Sequence, residues 1–194
     1  TDLNGCFQTA SVTINQPSAI TVTSLINNVS CFGFNNGSID INVTGGNSGY
    51  SFIWNTGTTT EDVSGLIAGN YSVTVSDLNL CSAISSFTVT QPAVLSASGV
   101  RTNVSCFGGS NGNINLTVIG GTLPYSYQWS NSASTEDINN LSVGQYIVTV
   151  TDANACSTTS AFTITQPSLL TVTSNRNNVS CFGGSDGSIT TNIA

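Results

Sequence analysis

The sequence predicts an all-β chain: tandem immunoglobulin-like β-sandwich domains of about 75 residues, arranged head to tail. Three observations carry this prediction. The chain repeats itself at a fixed interval, its apolar residues alternate with period two, and clusters of Gly, Asn and Pro punctuate it at strand-length spacing. The interval is plain in the cysteines. Cys31, Cys106 and Cys181 lie 75 residues apart, and so do Cys6, Cys81 and Cys156. Gln-Pro recurs in step at Gln16-Pro17, Gln91-Pro92 and Gln166-Pro167, and segment 17–91 aligns with 92–166 without a gap at 34 identical positions. We therefore expect complete repeats at 17–91 and 92–166. Segment 1–16 reads as the tail of a preceding repeat and 167–194 as the head of a following one, a window on a longer protein.

Within the first repeat, Ala19–Leu25 alternates Ile20 and Val22 with threonines and reads as a strand. The Gly- and Asn-rich NNVSCFGFNNG follows as a connection. Ser38–Thr44 places Ile39, Ile41 and Val43 on one face and Asp40, Asn42 and Thr44 on the other, the pattern of a half-buried strand. Gly45-Gly46 makes a turn. Tyr50, Phe52 and Trp54 share a face, Thr59–Leu66 is expected to be a strand, and Asn70–Ser76 aligns Tyr71, Val73 and Val75. Ser82–Thr90 closes the repeat with Phe87 and Val89 inward. The second repeat matches, with Tyr125, Tyr127, Trp129, Tyr146 and Phe162 in the corresponding places. Tyr71 and Tyr146 each follow a turn at the head of a strong strand, which suits a tyrosine corner, while Trp54 and Trp129 read as core. Joints as short as Thr-Gln-Pro imply a stiff or semi-stiff rod.

Composition excludes several functions. Nine acids stand against two arginines (Arg101, Arg176), with no lysine and no histidine. Nothing neutralises a phosphate backbone or an anionic membrane surface, so neither nucleic acid nor membrane insertion is expected. No apolar run reaches the roughly 20 residues of a spanning helix. Ser, Thr and Asn make up about two fifths of the chain, the mark of a neutral polar solvent face. A Ser-His-Asp set is impossible without histidine. Glu61-Asp62 and Glu136-Asp137 are sequence neighbours that point to opposite faces of a strand, so no enzyme and no cofactor are expected. Lacking lysine, the chain cannot form Lys–Asn isopeptide bonds, and resistance to tension falls to strand pairing, core burial and disulfides.

The cysteines have no histidine or lysine to activate them and no CxxC spacing for zinc, so they read as structural disulfides of an extracellular protein. Pairing within a repeat (Cys31–Cys81 and Cys106–Cys156) makes each repeat self-contained and closes a loop of about 50 residues. Such a bond is worth about 3–4 kcal/mol on the chain-entropy view. Cys6 and Cys181 then pair outside the complete repeats. In a seven-strand sandwich, however, the two cysteine loops lie at opposite ends, beyond the roughly 7 Å Cα limit. The pairing needs six effective strands or a bent first strand. Otherwise a staple between repeats, Cys31–Cys156 or Cys81–Cys106, is expected. The acids Glu61, Asp62, Asp77 and Asp152 are candidates for calcium or glycan, with capped turns as the simpler reading. Asn28 and its copies Asn103 and Asn178 match the glycosylation sequon, as do Asn42, Asn70, Asn115 and Asn140, as expected by chance in so Asn-rich a chain.

The ordered set NVSCFGGSNG, IGG-x-x-PYSYQW, GQYIVTVTDANAC and FTITQP resembles the SprB repeat across essentially the whole chain. The first repeat departs only in loops, at Gly33-Phe34 and Asn47-Ser48-Gly49. The resemblance implies a long adhesin of gliding Bacteroidota, exported by the type IX secretion system and displayed outside the outer membrane. It implies no catalytic residues. The expected role is a disulfide-stapled spacer that displays adhesive regions and transmits force. Its expected partners are an extracellular surface or polysaccharide, neighbouring repeats, and other cell-surface proteins. The alternative is a repeat that itself binds polysaccharide, with Trp54 and Trp129 as aromatic platforms.

Overall fold

The computed structural model describes residues 3–194. Among these every regular element is a strand, and no helix is long and apolar enough to cross a membrane. The chain divides into two compact units that part between Pro92 and Ala93.

The first unit contains β1 (Thr21–Asn27), β2 (Gly37–Thr44), β3 (Ser51–Trp54), β4 (Val63–Leu66), β5 (Gly69–Ser76) and β6 (Ser82–Val89). They form two three-stranded antiparallel sheets, ordered β1-β2-β4 and β3-β5-β6. Period-two alternation sends Ile39, Ile41 and Val43 of one sheet against Trp54, Tyr71, Val73, Val75 and Val89 of the other, with Phe52 and Phe87 packed at the margin. The first strand starts two residues later than its alternation suggests. Ser18 O accepts the Gly46 N–H at 2.8 Å, so the chain before Thr21 is held by the Gly45-Gly46 turn and not by a ladder. That turn demands glycine: Gly45 has φ +85°, and a Cβ there would lie 2.0 Å from Ala19 O.

The expected strand Thr59–Leu66 shrinks to Val63–Leu66. Residues 55–62 are committed elsewhere, since Trp54 Nε1 donates to Thr60 O at 2.9 Å and Asp62 Oδ1 takes the Ile41 N–H at 2.9 Å. Within β4 the register slips between its pairings with Gly37 and Ser38. Gly65, at φ +70°, supplies the bulge. Val63 and Leu66 are therefore both buried although three residues apart, a spacing that strict alternation cannot give.

The registers also fix direction. At one end of the sandwich Thr21 faces Thr44, Ser51 faces Ser76, and Ser76 faces Ser82. At the other end Asn27 faces Ser38, Gly37 faces Leu66, and Gly69 faces Val89. β3 and β4 both run toward the second end, so the connection between them does not reverse the chain. The backbone consequently enters at the first end, before Thr21, and leaves at the second, after Val89.

The second unit repeats this plan in β7 (Ser96–Thr102), β8 (Gly112–Ile119), β9 (Ser126–Trp129), β10 (Ile138–Leu141), β11 (Gly144–Thr151) and β12 (Ser157–Ile164). Its sheets are β10-β8-β7 and β12-β11-β9. Asn140, at φ +55°, stands where the first unit has Gly65 and makes the same bulge, a conformation asparagine tolerates. A hairpin of β13 (Val172–Asn177) and β14 (Ser188–Ile193) follows. Residues 6–20 form no strand.

Candidate functional site: the cysteine loops at the two ends of a repeat

The NNVSCFG loop sits at the end where the chain leaves. Val29 is buried and donates its N–H to Thr90 O at 3.0 Å, and Asn28 Oδ1 returns the favour to Thr90 N–H at 2.8 Å. Gln91 Oε1 accepts the Gly33 N–H at 2.8 Å. Inside the loop Asn36 Oδ1 accepts from Ser30 N–H at 3.0 Å and its Nδ2 donates to Ser30 Oγ at 2.7 Å. The second unit reproduces the set. Val104 N–H bonds Thr165 O, Thr165 N–H bonds Asn103 Oδ1, Gly108 N–H bonds Gln166 Oε1, and Ser105 bonds Asn111. The first loop of each repeat thus grips the last residues of the same repeat and fixes where the chain departs. Sequence reasoning saw Gln-Pro as a marker of the period and as the short joint between repeats, not as part of this grip. The recurrence of Asn28, Asn36 and Gln91 at 103, 111 and 166 was the signal, but which groups they satisfy depends on sheet packing.

At the opposite end stands a buried carboxylate. Asp77 Oδ1 accepts the N–H groups of Asn79 and Cys81, both at 2.9 Å, and Oδ2 accepts that of Asn47 at 3.0 Å. Asp152 does the same with Asn154, Cys156 and Thr122. Each ties the β5–β6 type of turn to the double-glycine turn beside it. The Asn47 N–H, aided by those of Cys81 and Asn79 and opposed by burial, holds the Asp77 carboxyl below the usual aspartate range. Of the four acids considered for calcium or glycan, Asp77 and Asp152 therefore act as caps. Asp62 caps too, accepting the Ile41 N–H just beyond the Val63–Ile39 pair where β4 begins, as Asp137 does for Leu116 N–H at 2.8 Å. Glu61 is exposed beside it. Glu136, its counterpart, bonds Tyr127, and burial together with that negative charge raises the phenol's pKa.

Both tryptophans are core residues: Trp54 is 1% and Trp129 2% exposed. Each ring meets a phenylalanine, Phe87 at 5.9 Å and Phe162 at 6.1 Å between centroids. Neither offers an aromatic face to a sugar. Tyr71 and Tyr146 form tyrosine corners, with Tyr71 Oη donating to Ile67 O at 2.8 Å and Tyr146 Oη to Ser142 O at 3.1 Å.

The cysteines need a correction. Cys31 and Cys156 are disulfide-bonded, whereas Cys81, Cys106 and Cys181 are exposed free thiols. The expected pairs Cys31–Cys81 and Cys106–Cys156 are not formed. Six strands were expected to bring the two loops to one end, and that holds only if every connection reverses the chain. The β3-to-β4 connection does not. Cys31 lies at one end of the sandwich and Cys81 at the other, separated by about the length of eight-residue β5, roughly 26 Å. A disulfide spans no more than about 7 Å between Cα atoms.

Comparisons with known proteins place these features. A solved structure described as the amphioxus IgVJ-C2 molecule is similar to this chain at 12% identity, covering 78% of this chain and 99% of its own, with a TM-score of 0.32. Murine CEACAM1b is similar at 14% identity, covering 77% and 100%, with a TM-score of 0.31. The fold assignment rests on the registers above and not on these likenesses. No curated protein matches. The family model described as SprB repeat matches residues 23–59 and 98–134, two segments whose starts lie one 75-residue period apart. These two segments, one in each unit, are the parts of the chain that match the SprB repeat.

Proposed function

We propose that each repeat is a force-transmitting spacer in a cell-surface adhesin. The carrying observation is that the chain enters a repeat at one end of the sandwich and leaves at the other. Tension applied along the chain then pulls β1 and β6 lengthwise against β2 and β5. The seven pairs of the β1–β2 register and the eight of β5–β6 resist together, in shear, and do not open one after another. The grip of Asn28, Val29 and Gln91 on the loop joins the departing chain to the first sheet, so load reaches both sheets. The SprB repeat match supports placement in a surface adhesin, and a disulfide-containing chain supports an extracellular setting. On the same reading the protein is a type IX secretion substrate of the gliding apparatus, held outside the outer membrane, with an extracellular surface or polysaccharide as its partner.

Single-molecule stretching under reducing conditions tests this. The expected trace has one sharp peak per complete repeat, each lengthening the chain by about 24 nm, from 75 residues at roughly 3.6 Å less the folded length. Smooth low-force extension without peaks would overturn it.

A further inference from the structure

We propose that Asn36 and Asn111 are deamidation sites: the following glycine closes on the side-chain amide, ammonia leaves, and the loop takes the aspartate form that the chain already carries at Asp186. The three residues are equivalent, 75 residues apart, and each precedes a glycine, as Asn36-Gly37, Asn111-Gly112 and Asp186-Gly187. Two separate demands set an asparagine before a glycine here. Packing forces the glycine, since a Cβ at Gly37 would stand 2.8 Å from Val89 Cγ1 and one at Gly112 2.9 Å from Ile164 Cγ2. The loop needs the side-chain oxygen: Asn36 Oδ1 and Asn111 Oδ1 accept the N–H groups of Ser30 and Ser105, each at 3.0 Å. Both asparagines are exposed, so water reaches them.

The third occurrence of the loop shows that aspartate serves as well. Asp186 Oδ1 accepts the Ser180 N–H at 3.0 Å, the same contact at the same length. In the asparagine loops Nδ2 donates to the serine hydroxyl, at 2.7 Å from Asn36 and 2.8 Å from Asn111. In the aspartate loop the hydroxyl donates instead, and together with the Ser180 N–H it holds the Asp186 carboxyl below the usual aspartate range, against a smaller opposing effect of burial. A serine hydroxyl both donates and accepts. Exchanging the amide for a carboxylate therefore turns one hydrogen bond round and breaks none.

The step balances with water as its co-reactant. The Gly37 backbone nitrogen gives up its proton and bonds Asn36 Cγ, the Cγ–Nδ2 bond breaks, and the amide nitrogen leaves as ammonia, which closes a five-membered cyclic imide. Glycine suits this attack because it brings no side chain to crowd the ring. Water then opens the imide. Breaking the new N–Cγ bond restores the chain with aspartate. Breaking the bond to the backbone carbonyl carbon instead routes the chain through Cγ and adds a backbone atom just before the Gly37–Leu66 pair. In the folded loop serine holds both amide atoms, so ring closure waits for that grip to open. The mechanical reading above does not depend on this chemistry.

The test incubates the full chain in mildly alkaline buffer made with heavy-oxygen water, beside the same chain unfolded in guanidinium, and maps the label by chymotryptic mass spectrometry. Asn36 and Asn111 are expected to take up label ahead of every asparagine not followed by glycine and more slowly than in the unfolded chain. Each conversion adds one negative charge to the net −7. Asn4-Gly5, outside these loops, is scored as a separate peptide. Ser105→Ala removes the acceptor of Asn111 Nδ2 and should speed uptake there about fivefold relative to Asn36 in the same molecule, the weight of one hydrogen bond. Asn36→Asp/Asn111→Asp should keep the parent's urea midpoint at pH 7 and the slow amide exchange of Ser30 and Ser105. Absence of label in the folded chain while the unfolded chain converts would overturn the proposal. So would an unchanged rate at Asn111 in Ser105→Ala, or fast exchange at Ser30 and Ser105 in the aspartate variant.

Discussion

Val29 and Val104 are each 3% exposed, while Val179, in the same NVSC context, is 49% exposed. The three valines share their neighbours in sequence but not their surroundings. β13 and β14 pair as β1 and β2 do, since Val172 faces Ile193 and Asn177 faces Ser188, one hundred and fifty residues on from Val22 facing Val43 and Asn27 facing Ser38. The loop survives as well, with Asp186 Oδ1 accepting Ser180 N–H at 3.0 Å where Asn36 and Asn111 do so in the complete repeats. Local sequence is thus enough for the hairpin and its register. Burial needs the second sheet, which the described residues of this third copy do not include. The opposite extreme is the segment 7–14, which corresponds to β6 and β12. It forms no strand, and Ile14 is 93% exposed where Val89 and Ile164 are buried. In the complete repeats β6 and β12 are held by the strand just before them, and a strand without a ladder partner has no structure of its own.

The comparison is broken most forcefully in the core. Ile39→Ala is expected to cost about 2–5 kcal/mol, and Ile189→Ala, at the matching place in the exposed hairpin, less than about 0.5 kcal/mol. Urea unfolding of the two variants measures both, and equal losses would mean the third copy is packed as the first is. Next comes Asp77→Asn, which removes the charge from three N–H bonds. The folded pKa of Asp77 is lowered, so its contribution is complete above the unfolded value of about 3.9 and fades as pH falls through the folded one. Thermal melts should show the variant below the parent at pH 7, with the two curves converging as pH falls through the lowered folded-state pKa of Asp77.

A smaller effect is expected at the grip on the departing chain. Gln91→Ala leaves the Gly33 N–H without its acceptor and should cost about 1 kcal/mol, with faster amide exchange at Gly33. Asp186→Ala, in the copy without a complete sandwich, should leave the global melt unmoved. The smallest expected change is a gain. Ala155 holds φ +64° in the β11–β12 turn, a region costly to any residue with a Cβ, and Ala155→Gly should stabilise the second unit by up to about 1 kcal/mol. A loss on denaturant titration would show that the alanine side chain contributes packing that outweighs the strain.

How much was legible follows from the range over which each feature is decided. The inward faces of β2, β5 and β6 were readable because alternation is a property of adjacent residues. So were the Trp54 core position and the tyrosine corner. The bulge at Gly65 was not, since alternation breaks there and the spacing of Val63 and Leu66 makes sense only against the Ile39 and Gly37 pairings. Asp62 and Asp77 were visible as acids near turns. Their service as acceptors for Ile41 and Asn47, 21 and 30 residues away, was not.

The sequence by itself determined the 75-residue period, the all-β class, the hairpin register and the two cysteine classes, because each rests on local pattern or on recurrence. Only the tertiary structure decided which cysteines can meet. That turned on one connection, from Trp54 to Val63, which crosses between sheets without reversing the chain. It crosses so because Trp54 Nε1 holds Thr60 O within the connection while the Asp62 carboxylate takes the Ile41 N–H of β2, a group that only the assembled sheet presents.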